Sequence, residues 1–430
     1  MDLFDLARYP VLNKNEKTLL FEAFSGIGTQ SMAYDELKEI LGIDFEVIGF
    51  SDIDKYAIQS YYAIRQDNSI KNYGDISKMD EIPFCHVCTW SFPCQDISLA
   101  GKQRGMVEGT RSNYGYDFLE TVRRSTNKPK VLIMENVKNL VGEGHKEDFT
   151  NIQNILKDMG YENHWKVLNA KHYDVAQNRE RVFMISILGG GWFQFPPKIK
   201  LTKRLKDYLE DEVDEKYYLN QEQLKWAFGN ALNDKLKDVY DRKKAIINKD
   251  PAYTVTTKTD RRVGDANFIC DSIDDEITVG EFIERNTIKI PEATKQGYSL
   301  ASDGDGVYIN RPHQKWGVVQ KEMIQTIKTS GDDVGVVVDG TIFDIKSQKR
   351  YQAKPNSEIA PTQYAQEHYA VSHGLRIRKL TPLECWRLMG IKDEYFWRAK
   401  NSGVSNTQLY KQAGNAIVVN VLVAIFKNLY

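Results

Sequence analysis

Between Thr18 and Leu188, short apolar runs alternate with longer stretches whose apolar residues recur at helical spacing, and no other feature narrows the fold as much. Thr18 to Phe24 reads as a strand; Gly26 and Gly28 follow, and then an amphipathic stretch (Met32, Ala33, Leu37, Ile40, Leu41) that stops at Gly42. Phe45 to Ser51 reads as a strand ending at Asp52, and Lys55 to Gln66 as a helix. Further along come a strand at Phe84 to Trp90, a helix around Tyr116 to Arg124, and a buried strand, Val131 to Met134, that ends at Glu135. Helix Asn151 to Met159 and strands near Trp165 to Leu168 and Val182 to Leu188 complete the series. Alternation of this kind predicts an α/β fold, a doubly wound and mostly parallel sheet with helices on both faces.

The chain has 430 residues, too many for one average core. Gly189-Gly190-Gly191 and Pro196-Pro197 break the alternation and mark a boundary. Beyond it lie a helical stretch rich in lysine and acid (Leu201 to Tyr240) and, from residue 250 to 375, an irregular region of short β-branched runs. Asn415 to Leu429 is apolar at helical spacing and should pack back onto the first domain. The expected division is a larger domain from residues 1–195 plus about 405–430, with a smaller, irregular β-rich domain over about 196–404.

The overall charge of −1 argues against a generic polyanion binder. Residues 340–430 nevertheless carry 13 Lys and Arg against 6 Asp and Glu, a net of +7 that leaves −8 for the rest. Either a phosphate-facing surface or a merely solvated one fits that asymmetry. Five scattered cysteines do not make a disulfide framework, and Cys85-His86-Val87-Cys88 lacks the second pair of a four-sulfur metal site, so core packing and no metal are expected. No uninterrupted apolar run approaches the roughly 18 residues of a membrane span, and a cytoplasmic protein that meets no membrane is expected.

Four places carry chemistry. Phe24-Ser25-Gly26-Ile27-Gly28 is a two-glycine turn between strand and helix, suited to a nucleotide or simply to starting a helix, with Asp52 at the end of the next strand where a carboxylate can hold ribose hydroxyls. Cys94, in Ser91-Phe92-Pro93-Cys94-Gln95-Asp96, follows a strand and precedes a glycine-containing segment, so its thiol is either a presented nucleophile or a buried structural group. Glu135 ends a buried strand, where an unpaired charge is costly and a carboxyl group is driven to keep its proton. Gln177-Asn178-Arg179-Glu180-Arg181 sets two arginines two residues apart, pointing the same way, one to hold an oxygen and the other to brace Glu135 or Cys94.

Taken in order, these pieces resemble the C5-cytosine DNA methyltransferase family of bacterial or phage type. The same resemblance takes in Gly74-Asp75-Ile76, Arg378 to Gly390 around Cys385-Trp386, and Gly414-Asn415-Ala416-Ile417-Val418. It implies S-adenosylmethionine as cofactor, surrounded by Phe24, Gly26, Gly28, Asp52, Asp75, Pro93 and Asn415. It implies Cys94 as nucleophile, Glu135 as the acid at the cytosine ring nitrogen, and Arg181 at the base oxygen with Arg179 in support. Nearby arginines should lower the Cys94 thiol pKa. Gln95 and Ser98, from the loop after Cys94, would contact DNA.

Residues Leu201 to Val371 fall where the family carries its target-recognition domain. Thr326-Ile327 resembles the threonine-aliphatic signature there, with Thr254-Val255 as second choice. Arg261, Arg262, Arg311, His313 and Lys315 are candidates for base or phosphate contact. Two departures stand out, since the family usually has glycine at Ser91 and glutamate at Asp52. The implied partner is double-stranded DNA, with the target cytosine flipped out, and the implied assembly is a monomer, possibly paired in the cell with a restriction endonuclease for the same site.

Overall fold

The structure is a computed structural model, and it describes residues 10–94, 97, 113–218, 287–294, 296–309, 317–327, 329, 334–338, 342–344, 349–351, 369–371 and 376–430. Its chain divides into two compact units. The larger comprises Met1–Lys203, Thr326–Ser330 and Pro382–Tyr430, and the smaller Arg204–Gln325 and Gly331–Thr381. The return to the larger unit therefore falls at residue 382 rather than about 405. The helix Pro382–Arg387 buries Leu383, Cys385 and Trp386, and the Trp386 indole donates to the Leu409 carbonyl 2.9 Å away.

The larger unit is built on six strands: β1 (Thr18–Ala23), β2 (Phe45–Ser51), β3 (Val87–Trp90), β4 (Val131–Val137), β5 (Tyr161–Asn169) and β6 (Glu180–Leu188). Their order across the sheet is β2-β1-β3-β4-β6-β5. The first four strands are mutually parallel, and β6 runs antiparallel to both its neighbours. A parallel return needs a crossover of about a dozen residues or more. Only the short turn Ala170–Tyr173 and a few further residues join β5 to β6, so β6 comes back antiparallel. In consequence the start of β6 lies beside the end of β4, with Arg181 opposite Val137.

Period-2 alternation assigns the two faces. Phe21 and Ala23 of β1 point into a core with Cys88, Trp90, Leu132, Met134 and Met184, covered by helices α3 (Tyr114–Arg124) and α4 (Lys146–Asp158). On the other face Glu22 meets helices α1 (Thr29–Leu41) and α2 (Lys55–Arg65), through the Ser31 amide and the Tyr61 hydroxyl. Helices α5 (Pro382–Arg387), α6 (Asp393–Asn401), α7 (Asn406–Asn415) and α8 (Val419–Lys427) complete that side, with α8 against α1 through Tyr34 and Phe426, ring centroids 4.7 Å apart. The C-terminal stretch thus packs back as its periodicity predicts. Asn406–Lys427 has the length and hydropathy of a membrane span, but most of it is buried inside this unit, as core helices are.

Three expected boundaries differ. β3 starts at Val87, because Phe84 is 57% exposed and pairs with nothing in the sheet. α4 starts at Lys146, with Glu147 and Asp148 in its first turn, where acids favour the positive end of the helix dipole. β5 starts at Tyr161, its exposed side chains hiding the usual alternation. Cys85 and Cys88 are free and buried, in accord with core packing.

In the smaller unit a four-stranded antiparallel sheet runs Val319–Gln320, Gly306–Tyr308, Val334–Val338, Arg376–Lys379. Its core gathers Ile290, Ala301, Val307, Ile309, Val318 and Val337. Gly306 is required there: a Cβ would lie 2.2 Å from the Met323 carbonyl oxygen. Residues 219–286, which include Thr254, Val255, Arg261, Arg262 and Cys270, and residues 311–316, which include Arg311, His313 and Lys315, lie outside the described residues.

Candidate active site

The strand ends of the larger unit form two adjoining halves. The first is the turn after β1. Phe24, Gly26 and Gly28 all have left-handed backbones (φ 55°, 56° and 79°), and at Phe24 that conformation is unusual for a side chain of its size. At Gly28 a Cβ would also come within 2.7 Å of the Tyr61 ring. Gly28 ends the turn as the N-cap of α1 without a side chain to offer, and Glu22 supplies what is missing by accepting from the Ser31 amide at 2.9 Å.

Asp52 closes this half. One carboxylate oxygen accepts from the Gly26 amide and the other from the Asp54 amide, both at 2.8 Å, and burial pushes its carboxyl above the usual aspartate value. Asn72 joins Asp52 to the Gly74-Asp75 turn: its side-chain oxygen accepts from the Asp52 and Gly74 amides, and its nitrogen donates to the Asp52 carbonyl. Asp75 caps the short helical turn Ile76–Lys78 by accepting from Ser77. The Ser25 hydroxyl, buried in the same turn, has no partner among the described residues. A polar atom left over, two half-buried carboxylates and backbone free of obstructing side chains make a cradle that fits an adenosine-bearing cofactor.

The second half holds Cys94, Glu135 and the two arginines. The chain leaving β3 is tied to the chain leaving β4 at three successive points. The Ser91 hydroxyl reaches Glu135, the Asn136 amide donates to the Phe92 carbonyl at 3.1 Å, and the Asn139 amide donates to the Ile97 carbonyl at 2.6 Å. Pro93 and Cys94 lie between these ties, the thiol partly exposed. Glu135 is 6% exposed and is not the unpaired carboxyl that its strand position suggests. Its Oε1 lies 3.1 Å from Nε of Arg181, while its Oε2 accepts from Ser91 at 2.6 Å.

The expected lowering of the Cys94 pKa is overturned: burial pushes the thiol up, and the opposing pull of Arg181 does not compensate, with Glu135 adding to the rise and Arg179 easing it. Arg181 is the arginine that braces Glu135. Arg179 is turned elsewhere, 3% exposed, with one Nη donating to the Ile327 carbonyl (3.2 Å) and the other to the carbonyls of Gly414 (3.0 Å) and Ala416 (2.9 Å). Burial, reinforced by Arg181, pulls its pKa down to about 9, so it stays charged at neutral pH.

The two carbonyls straddle Asn415, whose own side chain is exposed at the end of α7. Gln177 adds to the clamp by donating to the Leu388 carbonyl at 2.8 Å. Thr326 donates to the Asn178 carbonyl at 2.9 Å, and Ile327 is buried, only 1% exposed. Gln95 and Ser98 lie outside the described residues.

Cys94, Glu135 and Arg181 therefore lie close to one another at the ends of the neighbouring strands β3, β4 and β6. A profile described as C-5 cytosine-specific DNA methylase matches residues 19–430. The chain belongs to that family. Similar proteins include the orphan methyltransferase M.SPBetaI of Bacillus phage SPbeta, 31% identical over 96% of this chain and 97% of that one. The type II methyltransferase M2.ScrFI of Lactococcus lactis subsp. cremoris is 30% identical over 96% and 98%. Among solved structures, the S. pombe Dnmt2 methyltransferase shares the fold with a TM-score of 0.53 at 15% identity, covering 96% of this chain and 98% of its own. This methyltransferase is thus a DNA cytosine-5-methyltransferase by family.

Sequence reasoning passed over Ser91, Asn136 and Asn139 as ties, Asn72 as the link between Asp52 and Asp75, and Glu22 as the support of α1. Only Glu22 carried a signal, a carboxylate inside an otherwise apolar strand.

Proposed function

We propose that this methyltransferase transfers a methyl group from S-adenosylmethionine to carbon 5 of a cytosine flipped out of duplex DNA, through a covalent adduct at Cys94. The observation that carries the reading is the convergence of the Cys94 thiol, the Glu135 carboxyl and the Arg181 guanidinium at the ends of central strands, on the sheet whose β1 leads into a backbone cradle.

Phe24, Gly26, Gly28, Asp52, Asp75, Pro93 and Asn415 would surround the cofactor, which supplies an electrophilic sulfonium methyl group when bound. The Cys94 thiolate adds to carbon 6 of the base while Glu135 gives a proton to the ring nitrogen, so that the ring becomes an enamine nucleophilic at carbon 5. Arg181 holds the base oxygen and the Glu135 carboxyl together. After methyl transfer, water takes the carbon 5 proton, the electrons of that bond expel the Cys94 thiolate from carbon 6, and the ring nitrogen returns its proton to the Glu135 carboxylate, leaving an aromatic ring. A base inside the stack offers no approach to carbon 6, which is why extrusion is required.

The smaller unit is assigned to target recognition, with Thr326 and Ile327 at its junction. Gln95 and Ser98 are assigned to the DNA. Solution as a monomer, and a companion endonuclease that reads the same site, complete the proposal.

Bisulfite sequencing of unmethylated DNA incubated with the protein and S-adenosylmethionine tests the activity and reads the sequence context at once. Cys94→Ser should abolish methylation and keep cofactor binding, measured by calorimetry. DNA carrying 5-fluorocytosine in the recognised sequence should become trapped on the parent protein and not on the variant. Methylation by Cys94→Ser at the parental rate would sink the covalent route.

A further inference from the structure

Ser91 sits one residue beyond β3, and its hydroxyl oxygen lies 2.6 Å from Oε2 of Glu135 and 3.0 Å from the main-chain oxygen of the same residue. A hydroxyl group has one proton to donate and can accept as well. Both distances suit a hydrogen bond, and together they give Ser91 two ways to serve one neighbour. We propose that Ser91 is a positioning residue for the Glu135 carboxyl: its hydroxyl donates to Oε2 when the carboxyl is ionised, and when Oε2 carries the proton it accepts that proton's hydrogen bond while donating to the residue 135 carbonyl. The inference rests on the role proposed above for Glu135.

The chemistry calls for such a partner. An acid that gives up and regains a proton in each turnover alternates between acceptor-only and donor, and a neighbour able only to donate would oppose the protonated form. Arg181 is such a neighbour. Its Nε lies 3.1 Å from Oε1 in an ion pair, and the positive charge there disfavours a proton on that oxygen. The proton is thereby directed to Oε2, the oxygen that Ser91 attends. Among the described residues, the other charged or titratable groups facing Glu135 are the Cys94 thiol, on the loop after β3, and the Arg179 guanidinium, at the head of β6. The Arg179 guanidinium donates to main-chain carbonyls instead and can only donate, and a thiol is a weaker donor and acceptor than a hydroxyl. Since Ser91 follows β3 and Glu135 is near the end of β4, the contact also sets the spacing between the strand ends that carry nucleophile and acid.

The test uses the full chain, tritium-labelled S-adenosylmethionine and unmethylated plasmid DNA, in single-turnover assays of the parent, Ser91→Ala, Ser91→Gly and Ser91→Thr. Alongside, the Glu135 carboxyl is titrated by NMR in protein labelled with carbon-13 at glutamate, its resonance assigned by its absence from Glu135→Gln. Because the hydroxyl bond favours the ionised carboxyl more than the neutral one, its removal should raise the midpoint of titration by about one pH unit. Ser91→Ala and Ser91→Gly should also lose about tenfold in rate. Ser91→Thr keeps the hydroxyl and should restore both readouts.

Parental rate and titration in Ser91→Ala and Ser91→Gly would overturn the proposal. So would a slower rate with an unmoved titration, or a defect that threonine fails to repair, since either outcome means Ser91 acts only by packing. Two variants at the same position guard against one that does not fold, with thermal melting as the check. Glu135→Gln separates the two levels: normal methylation by that variant sinks the acid assignment and leaves the titration result standing, whereas an inactive Glu135→Gln beside an unaffected Ser91→Ala sinks the Ser91 assignment alone.

Discussion

At Cys94 burial and charge oppose each other, and burial wins. A thiol raised above its ordinary value of about 8.5 is less ionised at neutral pH than a free one, so the rate of adduct formation should keep climbing as pH rises past that value. Rapid-quench trapping on 5-fluorocytosine DNA between pH 6 and pH 10 checks the sign; a rate already flat at pH 7 would contradict it. Arg181 is the largest influence pulling the thiol back down and is also the ion-pair partner of Glu135. Arg181→Gln should therefore displace the trapping profile to still higher pH and cost on the order of a hundredfold in methyl transfer, within the span attributed to acid–base groups. The paired arginines were legible in the sequence as a unit, but their division of labour was not. Spacing puts two side chains on one side of a strand and is silent about which of them finds carbonyl groups from Ile327, Gly414 and Ala416.

Among the elements, α1 depends on a residue outside itself. Glu22 accepts from the Ser31 amide and from the Tyr61 hydroxyl, and burial raises its pKa above the usual carboxylate value. Glu22→Ala strands both donors in a buried site and should cost about 3 kcal/mol in urea unfolding. The pH dependence has a definite sign. A carboxyl group with its folded-state pKa above its unfolded value binds protons more readily when folded, so its contribution to stability is complete below the unfolded pKa and declines as pH rises through the folded one. Glu22→Gln should flatten that decline, as measured by thermal melts from pH 4 to pH 8. The strand–helix order, the two-glycine turn and Asp52 were readable because each is local, whereas the caps and ties were not. Asn136, Asn139 and Asn72 bond to main-chain atoms of distant segments, and an asparagine reads the same in sequence whether or not it finds them.

For the molecule as a whole, the larger unit is assembled from three stretches of chain. α8 buries Val421, Leu422, Ile425 and Phe426, which at about 2 kcal/mol each is comparable to the entire stability of a typical domain. A chain stopped at residue 416 should fail to fold its larger unit; circular dichroism and limited proteolysis would register the loss, and a resistant, fully helical product would refute it. The sequence also placed the second junction late, near 405 instead of 382. The segment Pro382–Gly390 follows directly on β-rich sequence and has no glycine or proline cluster at its start, while its allegiance rests on buried contacts such as Trp386 to Leu409 and Gln177 to Leu388.

The Arg179 clamp bears on any attempt to exchange specificities among relatives. Ile327, whose carbonyl it holds, belongs to the larger unit although smaller-unit sequence flanks it on both sides. A graft of residues 204–381 in a single block would carry away part of the acceptor set of a buried cation and replace it with a foreign turn. Swapping two cassettes, 204–325 and 331–381, around an untouched native island would leave that guanidinium, and the Asn415 loop it holds, as they are.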